Sequence, residues 1–197
     1  MIYVIMCAGQ GKRWNNYKGV PKHLIEINGE TLLGRTTRML KENGIDNYYI
    51  TGNDARYSQY GTLIKQTKND CEIDRYEESI INGEVCYLYG DVYYTEEALK
   101  TIINTPADDV MFFGSEDEIF GVKVKDTNLF LRHKQKVKDL YLNKKIERCI
   151  GWEIYRSINK IDFKEHLITN RYVKILDETD DIDFPYDYEK FVARRNK

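Results

Sequence analysis

The sequence predicts an α/β fold of three layers, with a mixed but mostly parallel central sheet between two sets of helices. Three observations lead to it. The chain opens on a continuous apolar run at residues 2–7 that stops at Ala8-Gly9, the pattern of a strand buried on both faces. A second such run, residues 85–89, is halted by Gly90-Asp91. Around these two, helical stretches alternate with further strand-like segments, and such alternation places strands side by side with helices crossing over them.

The elements follow in order. After the first strand comes a glycine- and asparagine-containing loop over residues 9–20, where Pro21 biases Val20 away from helix. Asn28-Gly29 signals a hairpin or turn. Thr31 then caps a helix carrying Leu32, Leu33, Thr36, Met39 and Leu40 at helical spacing, which Asn43-Gly44 ends. Residues 48–51 read as a short strand with Gly52-Asn53-Asp54 as its terminal turn. Cys71-Glu72-Ile73 reads as a third strand and residues 85–89 as a fourth. Residues 96–104 are expected to be helical, residues 109–113 and 119–124 to be strands, with the latter pairing in the second half. A helix over 148–159, a late strand over 172–176 and a last helix over 185–195, with Pro185 in its first turn, complete the reading. No repeat, linker or low-complexity tract interrupts it, so one domain over 1–197 is expected.

Composition bounds the function. Thirty Lys and Arg against 32 Asp and Glu give a formal charge of -2, which excludes a globally basic protein that binds nucleic acid by neutralising phosphates. The balance conceals a segregation. The first 25 residues contain Lys12, Arg13, Lys18 and Lys22 and no acid, whereas residues 175–189 contain Asp177, Glu178, Asp180, Asp181, Asp183, Asp187 and Glu189 and no base. The four cysteines, at 7, 71, 86 and 149, are too far apart in sequence for a C-x-x-C pair and are expected to be reduced and buried. No signal-peptide pattern and no apolar run of the ~20 residues that span a bilayer is present, so a soluble, cytoplasmic protein with no membrane partner is expected.

The most informative segment is Ala8-Gly9-Gln10-Gly11-Lys12-Arg13, directly after the first strand. Two glycines permit a tight curve whose backbone N–H groups point at an anion, and the neighbouring cations add charge. Spacing excludes the two common phosphate loops. A dinucleotide fingerprint needs glycine at position 14, which is Trp14; a P-loop needs glycine at position 6 and a hydroxyl at position 13, which are Met6 and Arg13.

What remains is A-G-x-G-x-R, followed by Pro21-Lys22-His23-Leu24, then Asn28-Gly29 and a Leu-Leu helix. Over residues 2–45 this resembles the MobA-like and sugar-nucleotide pyrophosphorylase group, nucleoside-triphosphate transferases of the Rossmann-like GT-A type. The resemblance implies that Leu88-Tyr89-Gly90-Asp91 carries a Mg²⁺-binding aspartate, Asp91. It also implies that the segment from Asp181 to Glu189, similar to the group's closing D-I-D-x-P-x-D-Y-E, brings a second ligand, Asp183, with Asp181 as its substitute and Asp187 in the first turn of the last helix. Nucleotide contacts are implied at Ala8, Gly9, Gln10, Gly11, Lys12, Asn53 and Ser79, with a nucleotide-binding half near 1–95 and an acceptor-binding half near 96–197.

In this reading Arg13 and the loop amides face the β- and γ-phosphates, and Lys22 the α-phosphate and incoming oxygen. An acceptor phosphate is already anionic, so no strong general base is required, in keeping with three scattered histidines. His23 either faces the site or is a structural imidazole beneath the loop. The expected reaction is transfer of a nucleotide, CMP first with GTP and UTP open as donors, to a phosphorylated small molecule. Glu116, Lys123, His133, Lys134, Trp152, Glu153 and Arg156 are candidates for the acceptor side. A glycosyltransferase using a nucleotide sugar, a nucleotide-binding module without catalysis, and adenylyl transfer to a protein are the alternatives.

Overall fold

The computed structural model describes residues 1–79 and 83–195. Its centre is a seven-stranded sheet of β1 (Ile2–Met6), β4 (Tyr48–Gly52), β5 (Thr62–Lys65), β6 (Val85–Tyr89), β8 (Val110–Gly114), β9 (Ile119–Val124) and β10 (Tyr172–Lys174), in the order β10-β8-β9-β6-β1-β4-β5. β9 pairs antiparallel with both β6 and β8, while the other pairings are parallel, so one reversed strand sits inside an otherwise parallel sheet. Two small ribbons stand beside it: β2 (Glu26–Ile27) with β3 (Glu30–Thr31), and β7 (Val92–Tyr93) with β11 (Asp180–Asp181).

Strand alternation sorts the core into layers. From β1, Tyr3 and Ile5 point to one face, where Leu33 and Leu40 of α1 (Leu32–Glu42) and Leu99 and Ile102 of α2 (Glu96–Asn104) cover them. Val4 and Met6 point to the other, against Phe130 and Val137 of α3 (Thr127–Leu142) and Ile154 and Tyr155 of α4 (Gly151–Asn159). A third cluster, Trp14, Ile25, Leu32, Tyr93, Ile182 and Phe191, seats α5 (Pro185–Arg195) across the two ribbons. This is the three-layer arrangement the sequence predicts. Among the described residues, no helix is long and apolar enough to cross a membrane.

Two readings are corrected, and the structure adds elements to the rest. Cys71-Glu72-Ile73 is not a strand: residues Glu72–Arg75 form a 3₁₀ turn, because the Asp74 carboxylate accepts from the backbone N–H groups of Asp70 and Cys71 at 3.0 and 3.1 Å and curls the chain. The edge strand is β5 instead. The helix expected from residue 148 starts at Gly151, and α3, unanticipated, fills the segment after β9. β9 pairs with β8 of the second half, as expected, and also with β6 from the first.

Candidate active site

The site lies at the carboxyl ends of β1 and β6, where parallel α/β sheets present their loops. After β1 the chain turns through Gly9-Gln10-Gly11, with Gly11 at φ 60°, a left-handed conformation that glycine adopts without strain. Asn69 steadies this loop, its Nδ2 donating to Ala8 O at 2.5 Å and its carbonyl accepting from Gln10 Nε2 at 3.0 Å. Trp14, 2% exposed, closes the loop by donating from Nε1 to Val20 O at 2.8 Å. Pro21 follows, and a single 3₁₀ turn, Lys22–Leu24, directs Lys22 inward.

After β6, Gly90 permits a close turn: a Cβ there would lie 2.5 Å from Cys7 Sγ and 2.7 Å from Met6 O. The next residue, Asp91, is thereby set beside the loop. Its backbone carbonyl accepts from Ile182 N at 2.9 Å, which ties the C-terminal segment to the end of β6 and delivers Asp183 to the same place. Asp187 caps α5, its Oδ2 accepting from Asp183 N and Phe184 N at 3.2 and 2.7 Å. Three remote pieces of chain so meet at one point: Lys22 Nζ contacts the Asp91 carboxylate and lies 2.8 Å from Asp183 Oδ1, and Arg13 also pairs with Asp183.

The electrostatics follow from burial. Desolvation opposes the charges of both Lys22 and Asp91, but their mutual attraction wins: the ammonium is raised and the Asp91 carboxyl is held at about 2. Asp181 lacks such a partner. Burial, with Glu118, Asp91 and Asp183 nearby, pushes it up to about 8, and Glu118, open to the cavity yet desolvated by its walls, rises to about 7. Burial and the neighbouring carboxylates thus favour the protonated forms of Asp181 and Glu118, while Lys22 and Arg13 balance Asp91 and Asp183.

The cavity around this centre has a volume of about 490 Å³ and is bounded by the glycine loop, Asp91, Asp183, Arg75, Arg148 and Trp152, among others. A second cavity of about 540 Å³ lies on the other side of the loop and takes in Ala8, His23, Asn53 and Arg56. Gly9, Gln10, Gly11 and Lys22 border both.

Residues 3–80 match the family model of the MobA-like NTP transferase domain. The likeness covers less than half of the chain. Over 81 residues the sequence is 35% identical to the bifunctional IPC transferase and DIPP synthase of Thermococcus kodakarensis, a match that takes in 41% of this chain and 17% of that protein. The fold is shared along nearly the whole chain with the CTP:phosphocholine cytidylyltransferase of Streptococcus pneumoniae (TM-score 0.64, 14% identity, 98% of each chain). It is likewise shared with the inositol-1-phosphate CTP transferase of T. maritima (TM-score 0.62, 12% identity, 99% of this chain and 96% of that one).

The structure brings together Gly9, Gln10, Gly11, Lys12, Arg13, Lys22, Asp91 and Asp183 around the first cavity and Ala8 and Asn53 around the second. Ser79 is not brought in: it is exposed, its N–H donates to Glu77 Oε1 at 2.9 Å, and it borders neither cavity. Of the acceptor candidates only Trp152 lines the first cavity. The others are occupied elsewhere. Lys123 donates to Ile103 O and Thr105 O, Lys134 to Tyr76 O and Glu78, and His133 pairs with Ser157. Glu153 and Arg156 pair with each other, and Glu116 with Lys174. The residues that do form the wall, Asn69, Glu72, Arg75, Glu118 and Arg148, carry no local motif and reach the cavity only through the fold. Asp177, counted with the acids of the C-terminal segment, accepts from Thr95 Oγ1 and Thr179 N.

His23 is the structural imidazole, 3% exposed with Nδ1 2.8 Å from Tyr57 Oη. Burial lowers its pKa from 6.5 to about 4. Between those values the unfolded chain takes up a proton that the native state refuses, so this contribution is complete above pH 6.5 and is lost as pH falls toward 4, at most about 3 kcal/mol. The loss of stability between pH 7.5 and 5, measured by urea unfolding, is expected to be smaller in His23→Gln than in the natural chain. Parallel losses in the two proteins would refute it.

Proposed function

We propose that the protein transfers a nucleotide, CMP first, from an NTP to a phosphorylated small-molecule acceptor, giving NDP-X and pyrophosphate. One observation carries the reading: Lys22 meets Asp91 and Asp183 beside a glycine loop that borders the same cavity as Arg13. A triphosphate and an acceptor phosphate repel each other, and a buried ammonium beside a loop of backbone donors is suited to draw both in. Lys22 is assigned to the α-phosphate and the incoming oxygen, and Arg13 and Lys12 to the outer phosphates. Arg75 and Arg148, absent from the sequence reading, line the same cavity and are assigned to an anionic acceptor.

Asp91 and Asp183 fit Mg²⁺. Both carboxylates reach one point, where each contacts Lys22 Nζ, and both border the cavity beside the glycine loop. Two carboxylates with the remaining positions left to phosphate and water is what Mg²⁺ favours. When bound, the ion would neutralise developing charge on the phosphates. CTP stands first as donor because the S. pneumoniae and T. maritima proteins are named for it.

The test is a screen of the four NTPs, with Mg²⁺, for pyrophosphate release against phosphorylated alcohols, amino acids and sugars. Release that requires both CTP and an acceptor is expected. Binding of nucleotide with no release across the panel would favour the noncatalytic alternative and overturn the proposal.

A further inference from the structure

Cys71 and Cys149 stand 78 positions apart, yet their Sγ atoms are 2.7 Å from each other. Two other ties hold the same segments together. Ile73 N donates to Cys149 O at 3.4 Å, and Gly151 N, at the start of α4, donates to Glu72 Oε1 at 2.9 Å. The two thiols differ in surroundings. Cys71 is half-buried and borders the first cavity, whereas Cys149 is 4% exposed. Lys138 of α3, held by Asp74 at 2.7 Å, places its ammonium 3.5 Å from Cys71 Sγ.

The chemistry is asymmetric for that reason. The hydrogen bond from Cys149, aided by Lys138, outweighs burial and Asp74 and draws the Cys71 thiol below its ordinary range, while the same contact and burial push Cys149 up. Cys7 and Cys86 lie fully inside the core, and burial raises both. The thiolate is the species that attacks a disulfide, so one cysteine of the four is set to react first and a second waits in contact with it.

We propose that Cys71 and Cys149 are a reversible dithiol/disulfide pair, with Cys71 the attacking thiol, Cys149 the resolving one and a low-molecular-weight disulfide the oxidant. Cys71 thiolate attacks one sulfur of R–S–S–R, forming Cys71–S–S–R and releasing one R–S⁻. Cys149 then gives up its proton and attacks Cys71 Sγ, which breaks the bond to R–S and releases the second R–S⁻. Two protein thiols are oxidised, one small disulfide is reduced, and the two protons end on two R–SH. Closing the sulfurs from 2.7 Å to a bond of about 2.05 Å fits the arrangement already present. The bond would join the segment bearing Glu72 to the one bearing Arg148 and Ile150, all three on the wall of the first cavity.

The full chain is treated with oxidised glutathione at pH 7.5 and compared with dithiothreitol-reduced protein by intact mass and peptide mapping. The oxidised chain is expected to lose two hydrogens, carry no glutathione and yield one linked peptide pair containing Cys71 and Cys149. Its melting temperature is expected to rise by on the order of 10 °C, as for a cross-link closing a long loop, and to fall back on reduction. Cys149→Ser is expected to stop at a glutathione adduct on Cys71, and Cys71→Ser to leave Cys149 unmodified. A natural chain that keeps its thiols, stops at the mixed disulfide, or links other cysteines overturns the pair. A linked form that melts no higher than the reduced one overturns its closing on the present arrangement, and an adduct on Cys149 in Cys71→Ser overturns the assigned roles.

Discussion

Lys22→Met is expected to lower pyrophosphate release by about 10³-fold while leaving the far-ultraviolet circular dichroism unchanged, since one preorganised charge at the reacting phosphate commonly contributes on that scale. The residue is singled out by burial. Its side chain is 9% exposed, against 62% for Arg13, and Lys12 and Arg148 are also exposed, so among these cations it alone acts from a desolvated position. In water the same charge would be screened. Methionine keeps the length and apolar stem and removes the ammonium. The fold survives because Asp91, deprived of its partner, is free to take up a proton and become neutral. Arg13→Met serves as the comparison: an exposed cation is expected to cost about tenfold, expressed mostly in KM for the NTP. If Lys22→Met released pyrophosphate at a rate near that of the natural chain, the assignment of Lys22 to the α-phosphate would fail.

The contrast between Lys22 and the rest of the cavity explains what the sequence disclosed. Every residue of the central cluster stands beside a punctuating residue that marks it: Arg13 after Gly-x-Gly, Lys22 after Pro21, Asp91 after Gly90, Asp183 two positions before Pro185. Glycine and proline have backbone consequences that can be read locally, and the chemistry was attached to those turns. Asn69, Glu72, Arg75, Glu118 and Arg148 have no such marker. They arrive through sheet order and through the Asp74 turn, which depends on Lys138 from a helix 64 residues away. That helix, α3, was hidden by its polarity: Phe130, Lys134 and Val137 are its buried residues, and a lysine at a core position breaks the apolar stripe that marks a helix face. Lys134 is tolerated there because its ammonium finds Tyr76 O at 2.7 Å and Glu78 at 2.6 Å. The same satisfaction of buried charge removed Lys123, Glu153 and Arg156 from the acceptor side, where charge alone had suggested them.

Asp91→Asn tests the other half of the centre and is expected to lower turnover by about 10³-fold, with weaker binding of Mn²⁺, used as a spectroscopic substitute for Mg²⁺, by about tenfold or more. Asparagine keeps the shape and removes the charge. The apo protein adds a measurement independent of catalysis. Asp91 and Lys22 are buried together, so removing either one leaves its partner uncompensated, which for a buried pair costs about 3–5 kcal/mol, whereas replacing both is often close to neutral. Urea unfolding of Lys22→Met, Asp91→Asn and the double variant should therefore show the double variant more stable than either single one. Asp183 moderates the effect, since it keeps Lys22 partly paired in Asp91→Asn at 2.8 Å; the larger single loss is expected for Lys22→Met. In turnover the double variant should fall no further than the worse single variant if the two residues act on one transition state as a unit. Strictly additive losses in stability and in rate would mean that Lys22 and Asp91 serve separate ends, and the shared site inferred from their contact would have to be abandoned.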